Sequence, residues 1–198
     1  VNNYQFLGSF EEEVAPGETL NKIMEFSGNE LEQASIGEVW QIEIGFAVCD
    51  IEEDEYGSHA ELFTTERITI QTSAYATMDN TPVSEGVEVY NDNGVRIVGL
   101  YAYEAMGKDV MFCVENNSER KIRISMQKAG INGIAMDQCF GSEVFAGKKY
   151  VGEIDFYADS WEESKITKLE DVEVQFAIYD DETRDEVGFS DMIKLDIE

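Results

Sequence analysis

DVEVQFAIYDD, residues 171–181, sets Val172, Val174, Phe176 and Ile178 on one side of the chain and Glu173, Gln175 and Ala177 on the other. A period of two is the spacing of an antiparallel strand with one face in a core and the other in water. The pattern recurs 130 residues earlier. QIEIGFAVCD, residues 41–50, repeats Glu43, Phe46, Ala47 and Asp50 and puts Ile42, Ile44 and Val48 where the later stretch has Val172, Val174 and Ile178.

Extended outward at the same offset without a gap, residues 1–50 and 131–180 share twelve identities, Asn2/Asn132, Glu13/Glu143, Gly17/Gly147 and Phe26/Phe156 among them. Apolar residues also meet at Tyr4/Ile134, Phe6/Met136, Met24/Ile154, Leu31/Trp161 and Val39/Leu169. After a loop five residues longer in the first copy, 66–70 realigns with 191–195 at an offset of 125. Self-similarity at a fixed offset marks a duplicated structural unit. The expected organisation is a first module over 1–72, a linker over 73–92 containing Thr81-Pro82, and a complete second module over 93–198. Val1 aligns with Ile131, so the first copy is short by 131 − 93 = 38 residues at its start. An incomplete module leaves a sheet edge open. Its first strands are expected from the parent protein, from the linker through Val83, Val87, Val89 and Tyr90, or from another chain by strand donation.

Further strands are read at Gly94–Tyr103, at Val110, Phe112 and Val114, and at Ile122, Ile124 and Met126, giving seven per complete module. Asn132-Gly133 is the dipeptide of a type I′ hairpin. Asp159–Leu169 departs from the alternation. There Asp159 and Glu162 stand at capping-box spacing for a short helical turn anchored by Trp161. The fold class expected is all-β: tandem immunoglobulin-like antiparallel β-sandwiches, each with a short helical turn in the crossover before the penultimate strand. Phe46 and Phe176 are expected in matching buried surroundings.

Composition narrows the function classes. The 198 residues hold 42 Asp and Glu against 14 Lys and Arg, a formal net charge of −28, yet 43% hydrophobic residues are enough to fill a core. Such a field repels phosphate backbones and anionic lipid surfaces, so nucleic acid is not an expected partner. No apolar stretch approaches the ~18 residues of a membrane span, so direct membrane insertion is not expected either. Cys49, Cys113 and Cys139 have no C-x-x-C spacing, and Cys113 faces Tyr179 rather than a cysteine at the position of the immunoglobulin bridge, so no intramodule disulfide is expected.

Candidate sites are few. The single histidine, His59, lies in EDEYGSHAELF without a nucleophile motif nearby and reads as a solvated residue; no catalytic residue and no cofactor are expected. Acidic clusters around Asp50 and Asp54, and around Asp180 and Asp181, are candidates for weak cation binding, although their spacing is not that of an EF-hand loop. Trp40, whose counterpart is Glu170, and Tyr101 and Tyr103 are candidates for contact with a protein or carbohydrate, because flat rings fill partner pockets.

VENNSERKI (114–122), INGIAMD (131–137), AGKKY (146–150) and DVEVQFAIYDD together resemble the Ig-like accessory domains repeated in secreted and lipid-anchored proteins of Gram-positive anaerobic bacteria. The resemblance covers 93–198 and the available part of 1–72. It implies an extracellular or cell-surface β-sandwich that binds or spaces and does not catalyse. The alternative is an accessory domain of a larger secreted enzyme or transporter. Pro16 in place of Ala146, and the longer acidic loop after Asp50, depart from the second copy.

Overall fold

In the computed structural model, which describes residues 1–6, 11–53, 59–103, 109–166 and 170–195, the chain divides into two units, Val1–Asp79 and Asn80–Glu198. At a few positions inside strands and helices, Tyr101, Tyr103, Cys139 and Trp161 among them, only the backbone is described. Among the described residues the chain is all-β with two short α-helices. No helix among the described residues is long and apolar enough to cross a membrane.

The second unit runs β5 (Val87–Asp92), β6 (Val95–Tyr103), β7 (Asp109–Asn116), β8 (Ile122–Ile131), β9 (Ile134–Ala135), β10 (Gln138–Cys139), β11 (Gly141–Val144), β12 (Lys148–Phe156), α2 (Ala158–Ser164), β13 (Val172–Asp180), β14 (Glu186–Phe189) and β15 (Ile193–Leu195). One antiparallel sheet has the order β10-β12-β7-β6-β5. The other has the order β11-β8-β13-β14, with β15 also on β13 and β9 also on β8. Two hairpins follow from Asn-Gly pairs. Asn93 (φ 52°) and Gly94 (φ 78°) turn β5 into β6, and Asn132 (φ 51°) and Gly133 (φ 75°) turn β8 into β9. Two successive positive φ values define the type I′ turn, whose twist matches the strands it joins.

The sheets enclose one apolar core. Ile97, Val110, Phe112 and Ile154 come from the first sheet, and Ile122, Ile124, Val172, Val174, Phe176 and Ile178 from the second. Phe112, Phe140 and Phe176 meet at its centre, Phe112 and Phe176 edge to face at 4.8 Å and Phe140 and Phe176 at 5.7 Å. Alternation therefore has its expected cause along β13 except at Ala177, which is as buried as Phe176 and Ile178. Along β7 it does not hold, because Met111 and Cys113 are as buried as Val110, Phe112 and Val114. The outer face of that strand is covered in part by the lead-in at Val83, whose N–H reaches Glu115.

Eleven strands among the described residues of this unit replace the seven expected. The return from β8 is broken into three short strands, and β5 lies in the stretch read as a linker. There Val87–Asp92 pairs with β6 of the second unit. Helix α2 precedes β13, and both β14 and β15 follow, so the helical turn stands before the third strand from the end. Its N-cap is Tyr157, with no side-chain capping bond, and Asp159 lies in the first turn instead of capping it.

The first unit holds α1 (Gly28–Gln33), β1 (Gln41–Ile44), β2 (Ala47–Glu53), β3 (His59–Thr64) and β4 (Ile68–Gln71). Its ladders follow the second unit residue for residue. Ile42 pairs with Ile70 and Ile44 with Ile68, as Val172 pairs with Leu195 and Val174 with Ile193. Ala47 pairs with Thr64 and Val48 with Phe63, as Ala177 pairs with Phe189 and Ile178 with Gly188. The break between β1 and β2 at Gly45-Phe46 falls where β13 shifts register against β8, between Gln175 and Phe176.

Burial does not repeat. Phe176 is fully buried and Leu195 is 7% exposed, whereas Phe46 is 36% and Ile70 48% exposed. The expectation of matching surroundings for the two phenylalanines is thus corrected. Among the described residues of 1–79 no strand corresponds to β5–β8, and no described sheet lies over Phe46 as one lies over Phe176. The loss is selective. Residues 11–14 and 18–26, the counterparts of β11 and β12, form no strand in the first unit. In the second unit β11 pairs with β8, and β12 pairs with β7 and with the two-residue β10. Among the described residues, the strands that survive are the counterparts of β13, β14 and β15, which pair with one another, since a strand is held by its neighbour's hydrogen bonds and not by propensity alone.

Candidate functional site

The acidic candidates of the second unit are built into ion pairs. Asp180 ends β13, and its Oδ1 accepts from the N–H groups of Glu182 (3.0 Å) and Thr183 (3.1 Å), closing the turn that leads to β14. Those backbone bonds, aided by the Arg120 guanidinium 3.6 Å away, hold its carboxyl below the usual range. Asp181 accepts from Lys121 at 2.8 Å and from Arg123 at 3.1 Å, and Lys121 foremost lowers its pKa. Glu143 of β11 receives the same two cations. Burial alone would depress the Lys121 ammonium, but the bonds to Asp181 and Glu143 outweigh it and raise its pKa. The seam ties β8, β11 and the end of β13 together. A cation entering here would have to displace Lys121 and Arg123 from the oxygens it needs.

Asp50 lies exposed in β2, where its Oδ1 accepts from Glu52 N–H at 3.2 Å, and Asp54 lies outside the described residues. Among the described residues no group of three or more His, Cys, Asp and Glu side chains is placed to hold a metal ion. His59 opens β3, with its Nε2 3.9 Å from Glu11.

A second cluster escaped the sequence reading. Glu115, 2% exposed on β7, accepts from Arg96 of β6 and Lys149 of β12 at 3.0 Å each, and from Val83 N–H at 3.0 Å. Arg96 also donates to Val83 O at 2.7 Å, and Lys149 to Thr81 O at 3.1 Å. The group straps the lead-in 81–83 across three strands. Burial raises the Glu115 carboxyl, but the three hydrogen bonds and two cations prevail and hold it below its ordinary value. The only signal in the sequence was a glutamate between Val114 and Asn116 in an apolar strand, and strand parity assigned that face to water.

Trp40 is half-buried and its Nε1–H donates to Glu38 at 3.1 Å, so the ring is not a fully exposed platform. Its backbone belongs to a joint that each unit builds within itself. Asn2 Oδ1 accepts from Trp40 N–H (2.7 Å) and Gln41 N–H (3.0 Å), and Asn132 Oδ1 accepts from Glu170 N–H and Asp171 N–H at 2.9 Å each. Tyr101 and Tyr103 lie on β6, described as backbone only. The structure therefore does not gather the three aromatic candidates into one described surface. What it does present, on the first unit, is apolar: Phe63 is 56% and Ile68 61% exposed, beside Ile70.

The chain matches no family model and no curated protein. The functional reading accordingly rests on the ladders, the joints and the ion pairs themselves.

Proposed function

We propose that this chain is a non-catalytic module of immunoglobulin-like β-sandwiches in tandem, carried outside the cell or at the surface of a bacterium, where it binds a protein or carbohydrate partner or spaces neighbouring domains. The observation that carries the reading is one joint and one clasp built twice. Asn2 and Asn132 close the joint. Thr65 and Ser190 close the clasp, each hydroxyl accepting at 2.9 Å from the N–H of Phe46 or Phe176, with the return bond from its own N–H to the phenylalanine carbonyl. Side-chain bonds to backbone at equivalent offsets support descent of both units from one β module. The charged clusters of the second unit support the same reading, because their carboxylates are engaged in joining strands.

Labelling of intact cells with an antibody against residues 80–198 tests the placement. Signal removed by protease shaving supports it, and signal that appears only after lysis overturns it. Arrays of glycans and peptides probed with the purified chain separate binding from spacing.

A further inference from the structure

We propose that Asn93-Gly94 is a self-modifying site: the asparagine loses ammonia through a cyclic imide, and the aspartate or isoaspartate that replaces it unfastens the β5–β6 hairpin from β14. The inference is independent of whether the module binds or spaces.

The fold itself calls for this dipeptide. The turn needs positive φ at both positions, 52° at Asn93 and 78° at Gly94, which asparagine and glycine adopt at least cost. A side chain on Gly94 would begin 3.2 Å from the Ser118 backbone nitrogen, and the Gly94 carbonyl accepts from Asn117 N–H at 2.8 Å. Glycine is thus fixed here, and it leaves the nitrogen that follows the asparagine unscreened by any side chain. That nitrogen also lies outside the ladder, which pairs Asp92 with Val95. Both turn residues are exposed, so water reaches them.

Water is the only co-reactant. A bond forms from Gly94 N to Asn93 Cγ, the Cγ–Nδ2 bond breaks, and Nδ2 leaves as ammonia with the proton from Gly94 N. Water then opens the imide on one side to aspartate, or on the other to isoaspartate, whose main chain runs on through Cγ. The lost amide is a fastener. Its Nδ2 donates to Val187 O at 3.0 Å, joining the hairpin of one sheet to β14 of the other, and lies 3.3 Å from the Asp92 carboxylate. A carboxylate has no donor for that carbonyl and is repelled by Asp92. Isoaspartate also adds a methylene to a turn whose twist is set by two residues. At the same corner the Tyr90 hydroxyl packs on Gly188 of β14, buried with no hydrogen-bond partner among the described residues, so parting the strands returns it to water.

Asn132-Gly133 is the same dipeptide with nearly the same turn, φ 51° and 75°. Its Oδ1, however, accepts from Glu170 N–H and Asp171 N–H at 2.9 Å each. Swinging Cγ toward the Gly133 nitrogen gives up both bonds, so the fold restrains this site and leaves Asn93 the faster of the two.

The full chain is incubated at neutral and mildly alkaline pH in heavy-oxygen water and mapped by peptide mass spectrometry, beside a sample in denaturant. Aspartate and isoaspartate, each carrying the heavy oxygen, are expected at 93, faster at the higher pH because the attacking nitrogen must lose its proton. Conversion at 132 is expected to be about tenfold slower or more in the native chain, with the two sites alike in denaturant. In the modified fraction hydrogen exchange is expected to quicken at 186–189 while β7 is unchanged. An Asn93 that stays intact in the native chain, an Asn132 that converts as fast, or aspartate formed without isoaspartate would overturn the proposal. Exchange at 186–189 that does not differ between modified and unmodified chains would overturn the unfastening. Native and modified chains share one preparation, so no outcome depends on a variant that folds.

Discussion

Glu115 shows how much one side chain can hold. Its carboxylate joins β6, β7, β12 and the lead-in at Val83, and replacing it with glutamine leaves Arg96 and Lys149 short of their counter-charge. Charge-assisted bonds contribute about 1.5–3 kcal/mol each where water is excluded, so Glu115→Gln is expected to lower unfolding free energy by about that amount in urea titrations of residues 80–198. Because the folded pKa lies below the ordinary 4.5, the carboxylate's contribution is complete above that value and is lost as pH falls through the folded pKa. The gap between wild type and Glu115→Gln should therefore shrink on acidification below about pH 4.5. Beside it, burial, with the nearby Glu115 charge, pushes the Cys113 thiol up to about 12, whereas Cys49 is exposed. In a Cys139→Ser background, a thiol reagent is expected to titrate Cys49 in the native protein and Cys113 only after denaturation. Neither Glu115 nor Cys113 could be placed from alternation, since β7 is covered on both faces and parity distinguishes only one.

Turns and ladders behave differently from single residues, because local chemistry writes them. Asn132-Gly133 was legible as a type I′ hairpin, and Asn93-Gly94 carried the same signal without being read as one. The clasp was not legible. Whether a hydroxyl reaches back to a strand depends on how the following loop closes, and the offset changes from 130 to 125 across that loop. The two clasps also separate bond from burial. Ser190 is 4% exposed and its partner Phe176 fully buried, so Ser190→Ala strands a buried N–H and is expected to cost about 1–3 kcal/mol. Thr65→Ala removes the same bond at the exposed Phe46, where water can replace it, and is expected to cost about 1 kcal/mol or less. Chemical denaturation of the two variants, followed by one probe in each unit, checks the contrast.

For the molecule as a whole, the two units differ in how far their sheets are covered. The second has a shared core of two sheets, and the first shows Ile68, Ile70 and Phe63 at its surface. Expressed separately, residues 80–198 are expected to melt cooperatively without binding a hydrophobic dye, and residues 1–79 to bind it and melt at lower temperature; dye fluorescence and calorimetry decide. The sequence by itself determined the β class, the Asn132-Gly133 turn and the set of identities at a constant offset. Each of these follows from period-two alternation, from Asn and Gly at positive φ, and from identities at a constant offset, all of them local or pairwise. Only the tertiary structure decided which alternating faces are buried, how Glu115 is satisfied, and that Phe46 and Phe176 part company. Those depend on which strands lie opposite, and a stripe of apolar residues reads the same whether or not a second sheet arrives to cover it.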